Sequence, residues 1–349
     1  MPFAKANATM AGLTGARVSR STARRQTLAA GAALVEAETA AVEWILADAP
    51  SPAAAAVAHQ QLSIDGAMVP LQKGEWAEVK TMAIGTVGQG KDGKPKATDL
   101  SYFSRLADNV TFTRLVTIET HRRGTELAQR VTAVTDGAEW IQECIDVHAP
   151  TATRIIDWAH SSGYVAAAAR ALFADEAAQA SWRKTQLDAL LHGQPESVIA
   201  ELHRQLAAQA PGTPTADSVS TSLAYLARRL ELIRYADFRA RGLPIGSGIV
   251  ESANKLVVEA RLKGAGMRWG RANVNPMLAL RNAVCSEGRW SETWTLLHSY
   301  RCTRAREHSR SAHIQRHPEP PPPAPKPRRR PRKSYRDFSL RGSPRHAKR

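Results

Sequence analysis

Three acidic side chains stand where metal-assisted phosphate chemistry would need them. Asp65 lies in the strand-like run QLSIDGAMVP, and Asp136 closes the β-branched run in RVTAVTDGAEW. Glu251 sits near the start of a basic, amphipathic segment, LPIGSGIVESANKLVVEARLKGAGMRW, that runs from Leu243 to Trp269. Phosphodiester hydrolysis and strand transfer need a nucleophile made from water or a 3′-hydroxyl. They also need charge neutralised on the leaving oxygen. Two Mg²⁺ or Mn²⁺ ions about 4 Å apart meet both needs, and such hard cations take oxygen ligands from a few carboxylates. Each acid also has an ordinary explanation. Asp65-Gly66 fits a hairpin turn. Asp136-Gly137 fits a helix cap. Glu251, in a first helical turn, would meet the helix dipole favourably.

Charge points to a polyanionic partner. The chain of 349 residues carries a formal +16, and nucleic acid is the first candidate for such a balance. From Pro318 to Arg349 there are 11 Lys and Arg, 2 acids and nine prolines, so this tail holds +9 and the rest +7. A Pro/Arg stretch of this kind builds no core and is expected to be disordered. The three cysteines, Cys144, Cys285 and Cys302, form no C-x-x-C pair. That argues against a secreted disulfide scaffold and fits a reducing cytosol. His308, His313 and His317 with Cys302 match no standard zinc finger. No apolar run of about 18 residues is present, so no membrane span is expected, nor does the N-terminus carry a signal peptide's apolar stretch. The expected location is cytoplasmic and nucleoid-associated.

The elements that must carry the acids can be read in outline. Leu13 to Gly31 reads as the end of a helix-turn-helix, with Gly15 in the turn and Ser19 or Ser21 capping a short helix that bears Arg20, Arg24 and Arg25. An Ala-rich helix over 32–49 and a linker over 51–58 follow. Strands are expected at 61–69, 78–87, 111–121 (or a strand–helix junction there), 130–135 and 153–156, with a turn-rich loop at 88–96 and a helix at 138–148. Helical periodicity then dominates from Gly163 to about Ala240, broken at Pro211 to Pro214. The expected organisation is a partial helix-turn-helix and linking helix (1–50), a sheet core (51–162), a helical insertion (163–242), a return to the core (243–317) and the basic tail (318–349). The fold class is α/β, a mixed β-sheet flanked by helices.

Six blocks taken together are more specific than any one: SIDGAMVP, GEWAEVKTMAIGTV, VTDGAEWI, RIIDWAH, LPIGSGIVESANKLV and GAGMRW. In this order, from about Leu13 to Trp294, the chain resembles the bacterial insertion-sequence transposases of the Kra type. The resemblance implies a DDE transposase with a ribonuclease H-like fold and an all-helical insertion before the glutamate. It implies that Asp65, Asp136 and Glu251 are the catalytic and metal-binding acids, with Mg²⁺ or Mn²⁺ as cofactor. Glu259 lacks the Gly-Ser-Gly entry and ranks below Glu251. Asp157 and His160 form D-x-x-H, similar to a signature shared by several DDE superfamilies, so His160 would orient an acid or contact a phosphate. A capping Asp157 and a packed His160 are the plain alternative.

Asn254, Lys255, Arg261, Lys263, Arg268 and Arg271 follow Glu251, and Asn254 and Lys255 share its helical face. With Arg24 and Arg25 they are the expected DNA contacts, holding phosphates without reading sequence. Trp269 could stack on a base but is read as core. The implied partners are terminal inverted repeats, target DNA and at least a second copy of the chain on DNA. Family members carry more sequence ahead of the block that starts here at Leu13, which keeps open a truncated, non-catalytic DNA-binding remnant. A carboxylate-pair glycosidase is disfavoured by the charge and by an aromatic content of 6%. Deleting 318–349 is expected to weaken non-specific DNA binding and flatten its salt dependence. An unchanged salt slope in a binding titration would show that the tail does not touch DNA.

Overall fold

Alternation along Gln60–Pro70 builds the strand β1, whose even-numbered Leu62 and Ile64 pack on one face of a sheet and whose odd-numbered Ala67 and Val69 pack on the other. It is the central strand of five. β2 (Trp76–Gln89) and β3 (Pro95–Arg105) extend the sheet antiparallel on one side. β4 (Val131–Thr135) and β5 (Thr153–Ile156) extend it in parallel on the other. The order is β3-β2-β1-β4-β5, so the fold is α/β, a mixed sheet flanked by helices. The computed structural model describes residues 3–52 and 54–316, and the basic tail expected over 318–349 lies outside them. Its residues divide into two units, Met1–Arg301 and Cys302–Arg349. The described part of the second unit is helical. Among the described residues no helix is long and apolar enough to cross a membrane.

The N-terminal segment forms α1 (Phe3–Thr14), a turn with Gly15 at φ +72°, and α2 (Arg20–Asp48). Ser19 caps α2 by accepting from the Thr22 N–H at 3.0 Å. The short basic helix and the Ala-rich helix expected separately are one element of 29 residues. No proline interrupts the run, and Gly31 lies where a Cβ would collide with the carbonyl of Pro276. Glycine there admits close helix–helix approach.

The expected strand over 111–121 is instead two short helices, α3 (Asn109–Leu115) and α4 (Thr117–Arg122). Its Val and Thr content suggested a strand, but Asp108 starts a helix by accepting from the N–H and hydroxyl of Thr111 at 2.8 and 2.7 Å. The third strand lies earlier, from the end of the loop expected over 88–96 into residues given no element. β3 is an edge strand with proline at its first position and an exposed, charged outer half. Those features blunt an edge and hide its strand character. α5 (Glu139–His148) follows β4.

A helical block then separates β5 from the segment carrying Glu251: α6 (Trp158–Leu172), α7 (Glu176–Leu191), α8 (Pro195–Ala207), α9 (Pro214–Arg228) and α10 (Tyr235–Ala240). It opens at Trp158, ahead of the expected 163. Asp175 and Thr213 cap α7 and α9, and prolines occupy the first turns of α8 and α9, where a missing N–H costs nothing. Val165, Leu190, Val219, Leu226 and Ile233 form its core together with Val134, Ile155 and Ile156 of the sheet. The buried Tyr235 hydroxyl donates to the Ile156 carbonyl at 3.0 Å and lies 2.7 Å from the Ser161 hydroxyl, tying α10 to the end of β5.

The chain returns to the sheet through α11 (Gly248–Ala253), a π-helical turn over Asn254–Glu259, α12 (Ala260–Leu262) and α13 (Val274–Cys285), and the described residues end in α14 (Arg289–Arg316). One continuous amphipathic helix was expected from Gly248. Val257 and Val258 are buried as that pattern requires, but the turn holding them is π-wound.

Opposite this face, four elements meet in a buried ion network. Glu38 of α2 pairs with Arg105 of β3 and with Arg289 of α14, and Glu119 of α4 pairs with Arg289 and Arg122. Burial alone would raise the Glu119 carboxyl, but Arg289 and Arg122 outweigh it and hold it at about 2. A depressed carboxyl contributes stability present above its ordinary 4.5 and lost as pH falls from there toward 2. Glu119→Gln leaves Arg289 and Arg122 short of a charge and is expected to cost about 3–5 kcal/mol at neutral pH. It should also flatten the loss of stability below pH 4.5. Urea melts at pH 7 and pH 3 measure both, and equal losses at the two pH values would contradict the assignment.

Candidate functional site

β1 and β4 run parallel with Gln60, Gln61 and Leu62 opposite Val131, Thr132 and Ala133. β4 ends at Thr135, so Asp136 directly follows it, and it is close enough to Asp65 for its charge to act on the Asp65 carboxyl. Asp65 belongs to the odd-numbered set of β1, whose Ala67 and Val69 pack with Val250, Val257 and Val258 of the segment after the helical block, while Val134, two residues before Asp136, packs with the helical block itself. Each carboxylate accepts from a backbone N–H close to it in sequence, Asp65 within β1 and Asp136 in the turn after β4. Asp65 Oδ1 accepts from the Gly66 N–H at 2.7 Å, and Asp136 Oδ1 accepts from the Ala138 N–H at 2.9 Å. Asp65 Oδ2 accepts from the Asn254 amide at 2.9 Å. Burial, reinforced by the Asp136 charge, raises the Asp65 carboxyl above its ordinary range, while the Gly66 N–H, His160 and the Asn254 amide pull the other way. Neither aspartate has an ion pair among the described residues.

The helical block supports the Asp136 loop. The Tyr225 hydroxyl of α9 donates to the Asp136 carbonyl at 2.5 Å, and Arg229 donates to the Gly137 carbonyl at 3.0 Å. Arg229 also lies over the Tyr225 ring at 4.1 Å, and Tyr225 stacks on Tyr164 at 3.8 Å. Gly137 adopts φ +79°, and a Cβ there would sit 2.6 Å from both Ile156 and Arg229. The Asp136-Gly137 turn therefore needs glycine on two counts. Nothing in the spacing of Tyr225 or Arg229 marks them, because each acts on a backbone carbonyl about 90 residues away.

Asp157 is a fastening, not a group that faces the two aspartates. It is 2% exposed. Its Oδ2 accepts from the His160 N–H at 3.2 Å, capping α6, and its Oδ1 accepts from the Ser247 N–H at 2.7 Å. Trp158 N–H donates to the Ile245 carbonyl at 2.9 Å, and the Gln61 amide donates to the Gly246 carbonyl at 2.8 Å. The Ile-Gly-Ser turn is thus pinned to the end of β5 and to β1, and α11 starts from it. The His160 ring is exposed. With Asp157, Tyr164 and Glu251 it lines a cavity of about 380 Å³.

Glu251 is exposed in the first turn of α11. Asp65 and Asp136 are brought together, and Glu251 joins His160 at the adjoining cavity. Among the described residues no group of three or more His, Cys, Asp or Glu side chains is gathered closely enough to hold a metal ion. Two carboxylates at one end of the sheet, one of them pushed up by burial and by the other's charge, nonetheless suit Mg²⁺, which takes one or two protein carboxylates and completes its shell with water and phosphate.

Several expected DNA contacts are placed otherwise. Asn254 is buried and its amide is used by Asp65; helical spacing could not show a partner 189 residues away. Lys263 pairs with Glu259 at 2.7 Å. Arg261 is buried between the rings of Phe3 and Trp269, away from the surface beside the acids. Arg24, Arg25, Lys255, Arg268 and Arg271 are exposed. No protein-family model matches the chain, and no curated protein matches it. Asp157→Asn would set an amide NH₂ against one of the two N–H donors and is expected to destabilise the chain by about 1–3 kcal/mol. A thermal melt identical to wild type would remove Asp157 from this role.

Proposed function

We propose that the chain is a DDE transposase of the insertion-sequence type, built on a ribonuclease H-like core, that cuts and joins DNA strands with Mg²⁺ or Mn²⁺. The observation that carries this reading is that Asp65 on β1 and Asp136 directly after its parallel neighbour β4 lie at the same end of the sheet, where Asn254 of the segment that bears Glu251 meets Asp65. The strand order, with a three-strand antiparallel meander followed by two parallel strands, supports the fold assignment. The helical block between Asp136 and Glu251, the six sequence blocks and the +16 charge support it further.

In this reading Asp65 and Asp136 hold the cation. Bound there, a divalent ion supplies an activated water or 3′-hydroxyl and neutralises charge on the phosphate. Asn254 fixes one oxygen of Asp65, while Tyr225 and Arg229 fix the Asp136 loop. Glu251 completes the acid set from α11, and His160 stands at the same cavity to meet a phosphate oxygen. No covalent protein–DNA intermediate is required, since the cut strand's own 3′-hydroxyl attacks the target in line. Terminal inverted repeats and target DNA are the substrates, and holding two ends together calls for a dimer or larger assembly on DNA.

A second reading is a non-catalytic DNA-binding remnant. The observation that favours it is that the three acids are not gathered into one metal-holding group. Asp136→Asn decides between them. In the transposase reading it abolishes Mg²⁺-dependent cleavage of a supercoiled plasmid while leaving duplex affinity nearly unchanged, and Ca²⁺ supports binding without cutting. A wild-type chain that binds duplex but never nicks it in Mg²⁺ or Mn²⁺ establishes the remnant. Equal cleavage by wild type and variant removes Asp136 from the chemistry.

A further inference from the structure

Arg261 is 7% exposed, yet it has no hydrogen bond and no ion pair among the described residues. A buried cation without a counter-charge is costly, and burial and the neighbouring Arg281 both work against its charge. Its guanidinium is held by stacking alone, at 4.8 Å from the Phe3 ring and 4.9 Å from the Trp269 ring. Planar, weakly hydrated guanidinium suits such a sandwich and keeps its five N–H donors in the plane, free for an anion. The indole N–H of Trp269 is buried and also lacks an acceptor. Both residues line a cavity of about 750 Å³ that Arg20, Arg24 and Arg268 also line, and no Asp or Glu is among its described lining residues.

The cup is built in place. The Trp269 backbone N–H donates to the Pro70 carbonyl at 3.1 Å, and its carbonyl accepts from the Gln72 N–H at 3.0 Å, so the ring is carried on the far end of β1. Phe3 and Arg24 come from α1 and α2. Three separate parts of the chain thus converge four arginines on a single cavity.

We propose that this cup binds a backbone phosphate of DNA, outside the Asp65–Asp136 site, with Arg261 as its buried floor and Arg24 and Arg268 at its rim. The phosphate supplies the charge that Arg261 lacks. Its position joins the N-terminal helices to the segment that starts at Glu251, so one DNA strand would be gripped by both. The assignment of DNA, and not another phosphate, rests on the transposase reading; the anion chemistry does not.

The test uses the full chain with a short fluorescent duplex in Ca²⁺, titrated over a range of salt. Arg24→Gln and Arg268→Gln, both exposed, should each lower the slope of log affinity against log salt by roughly 0.9, as expected when one fewer phosphate is neutralised. Arg261→Gln should do the same and weaken binding about tenfold at low salt. Wild-type slopes in the two rim variants overturn the site, whatever Arg261→Gln does to folding. Millimolar inorganic phosphate that binds wild type but not the variants, with duplex binding unaffected in them, assigns the cup to a small anion and overturns DNA as its ligand. Reduced slopes in a chain that never cuts DNA keep the cup and sink strand transfer. Metal-dependent cutting that needs Asp136, with unchanged slopes, does the reverse.

Discussion

One buried carboxylate, Asp157, joins segments 90 residues apart. Each of its oxygens accepts a backbone N–H, one from the start of α6 and one from Ser247 just before α11. The two helices that leave this point carry His160 and Glu251, so their directions are set relative to each other and to β5. A charged acceptor suits the task because N–H groups at helix starts have no helical partners and carry the positive end of the dipole. Burial keeps water from competing for either donor. Without it the Ile-Gly-Ser turn would be held to the sheet chiefly through Gln61 and the Trp158 backbone.

The helical block is part of the site's frame. Its inner face reaches the sheet through Ile155, Ile156 and Tyr235, and its outer helix α9 returns to grip the carbonyls of Asp136 and Gly137. Position along the sheet is thus controlled twice for Asp136, by the β1–β4 register from one side and by Tyr225 and Arg229 from the other. Asp65 is controlled by the same register and by Asn254, whose π-wound turn lets it sit under Asp65 while Glu251 stays exposed. π-turns are frequent at functional sites because they shift side chains off helical spacing.

What could be read in advance was local. β4 and β5 are short runs of β-branched and apolar residues ended by Asp, and both lie where that pattern puts them. Ser19 and Gly15 mark the α1–α2 turn by their own chemistry. β3 escaped because its charged outer half is what an exposed edge requires, which makes it look like loop. Thr111 to His121 misled because propensity is weaker than one capping aspartate. Asn254, Tyr225 and Arg261 were beyond reach for another reason. Their roles depend on partners 189, 89 and 258 residues away, and no periodicity encodes a contact across such a span. Asn254 and Arg261 are expected as phosphate contacts beside the acids from their spacing after Glu251, whereas Asn254 is taken up by Asp65 and Arg261 lies against the rings of Phe3 and Trp269.

The ion network on the opposite face has a consequence for how the chain is made. Glu38 and Arg105 emerge from the ribosome early, and Glu119 soon after, but Arg289 comes only when most of the chain has been synthesised. Until then Glu119 has Arg122 alone, and the contact that links α2, β3 and α4 is missing its common cation. Closing that face beforehand would bury a carboxylate with half its compensation. The contact that ties α2, β3 and α4 together on this face is therefore completed only once Arg289, at the start of α14, has been made.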